Sequence, residues 1–300
     1  VVERHRALRT VIVKDPDGIP KGRILLTPDP DSLMPYLDLS SLEEPVAVDT
    51  ARQLIQNDAK KPFALDSEIS LRCHLFRLPD GSHALSIVLH HQAGDGISLS
   101  ILSSDLSKAY LATCNGLPPQ RTALPIQYSD WAAWQHACLE QNENGKKRLI
   151  SKIERAKARL SDIPDYLTIP TDRPHRADRQ RLAARIRHSI DVDLTAKLKD
   201  IAQQQNATLF SVLIGLYGAT LARLAGQSTV AIGSAVSGRN RIEIESLVGF
   251  MVNTVVFPVT VDSTMSGMAL LNNTKKTVEE ALNDQDLPFE KLAEHMGSKG

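Results

Sequence analysis

The sequence predicts a mixed α/β fold, an α+β sandwich, and three observations carry that prediction. Leu71 to Leu78 and His83 to His91 are strand-like runs joined by Pro79-Asp80-Gly81-Ser82, the chemistry of a hairpin turn. Past Gly96 the apolar spacing changes to Ile97, Ile101, Leu102, Leu106, Tyr110 and Leu111, one face of a helix that stops at Asn115-Gly116. Ala207 to Leu224 reads as a further helix closed by Gly226, and the β-branched run Thr229-Val230-Ala231-Ile232 follows it. Strands and helices thus alternate along the chain, as in folds that pack helices against a sheet.

The remaining elements follow in order. Val1 to Arg9 reads as a helix end feeding a strand at Thr10 to Val13, with Asp15-Pro16-Asp17-Gly18 as a turn and Gly22 to Leu26 as the returning partner. Leu117 to Pro125 is a proline-bearing connector. Tyr128 to Leu160 reads as one or two helices broken near Asn142 to Gly145. Thr168 to Pro174 is an irregular linker, and the alternation over Leu182 to Ile190 predicts an exposed strand. Asp193 is expected to cap a helix through Leu194, Leu198 and Ile201, and Val252 to Val261 gives the last strand.

At 300 residues and 42% hydrophobic composition, the chain can bury a sizeable core, and two lobes are expected: 1–124, and 125–300 with the connector helices. Lys plus Arg and Asp plus Glu both number 35, which gives no overall field to hold a polyanion, and no run of like charges suggests a nucleic-acid or membrane tail. The least polar stretch, Ala207 to Ala222, is shorter than the roughly 20 residues a bilayer needs and reads as a buried helix. Cys73, Cys114 and Cys138 have no CxxC spacing, so a reducing compartment, the cytoplasm, is expected. No initiator Met or leader is present, which reads as a cut within a longer polypeptide.

The chemistry concentrates in His90-His91-Gln92-Ala93-Gly94-Asp95-Gly96, at the end of a strand and the start of a helix. Imidazole exchanges a proton near neutrality, and a nearby carboxylate can orient the site. Neighbours on a regular strand face opposite ways, so one of the two histidines at most acts on a substrate and the other packs. Gly94 and Gly96 are expected to permit a tight turn. The other histidines, at 5, 74, 83, 136, 175, 188 and 295, form no helical pair of metal ligands, so no metal is expected; no GxSxG elbow appears either.

This string resembles the active-site motif of condensation domains of nonribosomal peptide synthetases, in the chloramphenicol-acetyltransferase-like superfamily. The resemblance continues through Arg4-His5 with Ala7-Leu8-Arg9-Thr10 (RHxxLRT) and Tyr128 to Gln135 (YxDxAxWQ). It extends over Ala207 to Gln227 and Ala231 to Arg239 (IGxPVxGR), Gly249 to Thr254 (GxFVNT, with Met251 for the usual residue) and Gln285 to Leu292 (QDLPFEKL). These ordered matches run over nearly the whole chain. Trp131 and Trp134, three apart, read as helix-packing residues, and Asp286 before Pro288 as a helix cap. A buried Arg239 needs an anionic partner.

The resemblance implies two chloramphenicol-acetyltransferase-like lobes in a V with the histidine motif at the cleft. It implies an amide-bond-forming acyltransferase that joins a donor acyl thioester to the amine of an acceptor aminoacyl thioester. His91 is the expected catalytic residue, either accepting the ammonium proton or hydrogen-bonding the attacking amine or the developing oxyanion, roles the sequence does not separate, with the Gly96 N–H helping to hold the tetrahedral intermediate. His90, Asp95 and Arg239 are expected to be structural, with Asp95 the partner of Arg239, and Asn253 and Ser237 to line the substrate channel. No bound cofactor is expected; 4′-phosphopantetheine arrives on donor and acceptor carrier domains, beside an adenylation domain. The family's domains are longer, so the resemblance marks this chain as truncated at both ends. A free-standing acyltransferase using acyl-coenzyme A, whose HxxxD pattern His91 and Asp95 also satisfy, and a non-catalytic docking module are the alternatives.

Overall fold

A computed structural model describes residues 1–119, 122–173 and 186–297. The class is mixed α/β, and by contacts the chain forms two compact units: Val1–Asn142 with Arg239–Val252, and Glu143–Gly238 with Asn253–Gly300.

In the first unit, a 3-10 turn at Arg6–Arg9 leads into β1 (Thr10–Lys14), which pairs antiparallel with β2 (Pro20–Ile24). Helix α1 (Pro30–Leu33) is capped by Asp29, which precedes its proline. Then come β3 (Tyr36–Asp38) and α2 (Glu44–Lys60). The hairpin is β4 (Leu71–Arg77) with β5 (His83–Leu89), registered Leu71 to Leu89 and Arg77 to His83, and β3 joins β4 in parallel. Helix α3 (Gly96–Cys114) follows, then α4 (Tyr128–His136), which runs into a π turn at Ala137–Gln141. Leu8, Leu71, Leu102 and Val248 form one core beneath the hairpin and α3. Arg4 and His5 both bind Asp105 of α3, which fastens the N-terminal segment to that helix.

The second unit holds α5 (Glu143–Arg159), α6 (Val192–Gln204), α7 (Leu209–Ala225), β6 (Thr229–Val236), β7 (Asn253–Thr260), α8 (Gly267–Leu282) and α9 (Phe289–Met296). Strands β6 and β7 pair antiparallel from Thr229 with Thr260 to Val236 with Asn253. Ile214, Val230, Phe257, Val259 and Val278 make its main core, and Ile153, Ala156, Leu160, Leu287 and Leu292 join α5 to α9.

Several local expectations need correction. The cap of α6 is Asp191, whose carboxylate accepts from Leu194 N at 2.7 Å; a cap reaches the third helical residue, and Leu194 is three from 191. Helix α7 is not buried all round: Val212, Ile214 and Ala222 are, while Leu213, Leu216, Tyr217 and Leu224 are exposed. Trp134 stacks on Trp131 at 4.9 Å but is itself exposed, with the Arg241 guanidinium 4.6 Å over its ring. Asp286 does not cap α9; its carboxylate is taken by Lys152 of α5. Of the expected strand at Leu182 to Ile190, residues 186–190 are irregular and the rest lies outside the described residues. Among the described residues, no single helix is long and apolar enough to cross a membrane.

Candidate active site

Strand β5 ends at Leu89 and α3 begins at Gly96, so the histidine motif is the loop between them. Its start is tied down: His90 N donates to Ser70 O at 2.9 Å and Gln92 Nε2 to Ser70 Oγ at 2.6 Å, with Ser70 buried ahead of β4.

The two imidazoles differ in partners and hence in tautomer. His91 Nδ1 lies 3.0 Å from Gly94 O; a carbonyl oxygen only accepts, so Nδ1 carries the proton and Nε2 keeps its lone pair in the neutral ring. His90 Nδ1 instead accepts from Gln92 N–H at 3.1 Å, which puts its proton on Nε2, and its ring meets Phe63 edge-on at 5.6 Å. His91 is exposed and His90 half-buried. The Phe250 ring stands edge-on to His91, centroids 5.0 Å apart at 86°.

Asp95 is enclosed. Arg239 binds it through both terminal nitrogens, at 2.7 and 3.0 Å, and the two side chains are 0% and 4% exposed. The carboxylate also caps α3 by accepting from Ser98 N at 2.9 Å, and accepts from Ser98 Oγ at 2.9 Å and Met251 N at 3.2 Å. Burial alone would raise its pKa; the Arg239, Ser98 and Met251 donors outweigh that and hold it below the usual carboxylate value. Asp95 therefore stays anionic at neutral pH and is no proton donor.

Ser98 is a site residue that the sequence pattern does not single out. Fully buried, its Oγ also lies 3.1 Å from Gly249 O and 3.2 Å from Gly249 N, and so ties α3 to residues 249–251. Its spacing three past the Asp95 cap is the available signal. Tyr128 OH donates to Phe250 O at 2.9 Å, and burial, then the Asp95 charge, push the phenol up. Gly249 is required by this approach: a Cβ there would lie 2.2 Å from the Tyr128 ring.

The motif glycines do not serve the backbone as expected, since neither Gly94 nor Gly96 has a positive φ. A Cβ on Gly94 would collide with Leu89 at 2.7 Å and Ser98 at 2.9 Å, whereas one on Gly96 would meet nothing within 4 Å. Gly94 is a packing requirement, and Gly96 opens the first turn of α3.

His90, His91, Asp95, Gly96 and Arg239 all belong to the first unit. Ser237 and Asn253 belong to the second. Ser237 is exposed just past the end of β6. Asn253 Nδ2 donates to Gln285 O at 2.8 Å and Leu287 O at 2.6 Å, while its Oδ1 accepts from Phe289 N at 3.1 Å. It performs the capping of α9 that Asp286 was expected to perform. Burial pushes the Cys73 thiol up to about 11, which leaves it too little thiolate to compete as a nucleophile. Among the described residues no three His, Cys, Asp or Glu side chains gather as metal ligands.

A histidine with one nitrogen anchored, ahead of a helix N-terminus and in one loop with a sealed Asp–Arg pair, is an arrangement that can exchange a proton at a fixed place. The chain belongs to the condensation-domain family, whose model matches residues 1–300. It is 36% identical over 98% of its length to phosphinothricin tripeptide synthetase PhsC of Streptomyces viridochromogenes. It is 33% identical over 99% to a linear gramicidin synthase of Brevibacillus parabrevis. The chain spans only 26% and 4% of those proteins. Among solved structures, the X-domain from teicoplanin biosynthesis superposes with a TM-score of 0.86 at 23% identity, over all of this chain and 64% of that one. The first condensation domain of the calcium-dependent antibiotic synthetase gives 0.78 at 21%, over all of this chain and 68% of that one. These likenesses are of fold, the chloramphenicol-acetyltransferase-like one. Condensation domains of peptide synthetases are amide-bond-forming acyltransferases.

Proposed function

We propose that this chain forms peptide bonds between two carrier-borne thioesters in nonribosomal peptide synthesis. The single observation that carries the reading is the state of His91: Nδ1–H is fixed on Gly94 O, which leaves Nε2 basic on an exposed loop. The acceptor's amine attacks the donor's thioester carbonyl, the C–N bond forms, and the C–S bond breaks. The amine's proton passes to His91 Nε2 and on to the departing thiolate, which leaves as the thiol. Gly96, first residue of the 19-residue α3, offers its N–H and the positive end of the helix to the developing oxyanion. Asp95 and Arg239 are positioning residues that hold this loop; His90 packs. Both thioesters arrive on 4′-phosphopantetheine arms of donor and acceptor carrier domains, with an adenylation domain beside them, and holding the two together supplies several kcal/mol toward the barrier. The free cysteines suit the cytoplasm.

His91→Ala in the intact protein is expected to leave the melting temperature unchanged and to lower condensation of carrier-bound substrates about 10²- to 10⁴-fold. Retained turnover overturns the assignment. Acyl-coenzyme A replacing the donor carrier at equal rate would favour the free-standing acyltransferase, and a wild type that condenses nothing would favour the docking module.

A further inference from the structure

We infer that Phe250 is a specificity-determining residue: its ring is an apolar wall beside His91 that receives the hydrocarbon side chain of a thioester substrate. This rests on the condensation reading of the same site.

Three observations carry it. Phe250 is 42% exposed, between a buried Gly249 and a Met251 that is 8% exposed within the core. The backbone around it is nevertheless held: Gly249 by the buried Ser98 Oγ, Phe250 O by the half-buried Tyr128 OH, and Met251 N by the buried Asp95. The anchored ring stands against His91 at 5.0 Å, so a group reaching the His91 Nε2 passes within contact range of an aromatic surface. An exposed phenylalanine draws little from the chain's own core, yet the same carboxylate that fixes the histidine loop also holds the N–H of the next residue, Met251. One clamp therefore sets the base and the wall together. A hydrocarbon side chain of three or more carbons gains by covering the ring; a methyl side chain gains little.

Phe250→Ala and Phe250→Leu, made in the intact protein, test this with stable amide analogues of phosphopantetheine thioesters. Leucyl and alanyl analogues probe the acceptor arm, and octanoyl and acetyl analogues the donor arm. The wild type is expected to bind the larger member of one pair more tightly. Phe250→Ala should cut that preference at least fivefold while changing affinity for the smaller member less than twofold, and Phe250→Leu should retain most of it. The arm that responds identifies the substrate that meets the ring. Equal weakening of large and small analogues would mean that the ring merely holds His91, and it overturns the inference, as does no change or no binding in the wild type. A Phe250-dependent preference without amide formation would refute the condensation reading and leave the wall standing; amide formation without such a preference would do the reverse.

Discussion

Among the described residues, each unit contains one buried aspartate gripped by arginine, and the two pairs are built differently. Asp95 meets one arginine, and both side chains are sealed, at 0% and 4% exposure. Asp284, between α8 and α9, is 5% exposed but meets two arginines of α5: Arg155 at 2.6 Å, 53% exposed, and Arg159 at 3.1 Å, 16% exposed. In the first pair, either charge left without its partner would stand almost wholly out of solvent. The second divides its charge between two partners, one of which already stands in water. The sealed pair sits in the loop that carries His91; the open one fastens α5 to the segment that Asn253 also holds, through Gln285 O and Leu287 O.

The largest effect should come from Asp95→Ala. It removes five acceptor contacts and leaves Arg239 charged in a dry site, so a loss of about 3–5 kcal/mol is expected from chemical denaturation, with activity lost as well. A variant as stable as the wild type would show that the pair is not the clamp it resembles. Asp284→Ala should cost less, about 1–3 kcal/mol, because Arg155 can turn to solvent.

Acid titration tests both pairs. Asp284, like Asp95, is held below the usual value of 3.8: burial raises it, but Arg155 and Arg159 bring it down further. A depressed carboxylate contributes stability that is complete above its unfolded pKa and is lost as pH falls through the lower folded value. Both contributions should therefore be lost progressively as pH falls below about 4, and Asp95→Ala and Asp284→Ala should each flatten the wild-type slope in that window. His5 works in another window. Burial lowers its pKa from 6.5 despite Asp105, so its neutral form stabilises the fold and that share is lost as pH falls below 6.5. A wild type equally stable at pH 7 and 5 would refute that assignment.

How much of this is readable in the chain depends on sequence distance. The β4–β5 hairpin and the limits of α3 follow from turn and cap residues within a few positions, and they stand where the sequence puts them. The Asp95–Arg239 pair joins residues 144 apart; a buried arginine demands an anion but does not say which, and only the family resemblance names Asp95. Ser98 and Tyr128 escape because their partners lie 151 and 122 residues away, and both are polar residues that a helix tolerates on its surface. The cap at α9 fails for the same reason: Lys152, 134 residues earlier, claims Asp286, and Asn253 takes its place. Helix α7 misleads because its apolar residues run all round, and the pattern does not say which side meets β6 and β7.

The smallest expected effect is the sharpest check on the comparison. Arg155→Ala removes the closer and more exposed partner of Asp284 but leaves Arg159, which is mostly buried and still 3.1 Å away. If exposure and redundancy make the second pair tolerant, the loss should be about 0.5 kcal/mol and should shrink further in high salt, as for an ordinary surface ion pair. Arg239→Ala, by contrast, strands the buried Asp95 carboxylate with no second arginine, and salt should not rescue it. The two substitutions delete the same functional group from pairs of similar length. Equal losses in a side-by-side denaturation series would mean that enclosure, the property that separates the two aspartates, has no bearing on what each contributes.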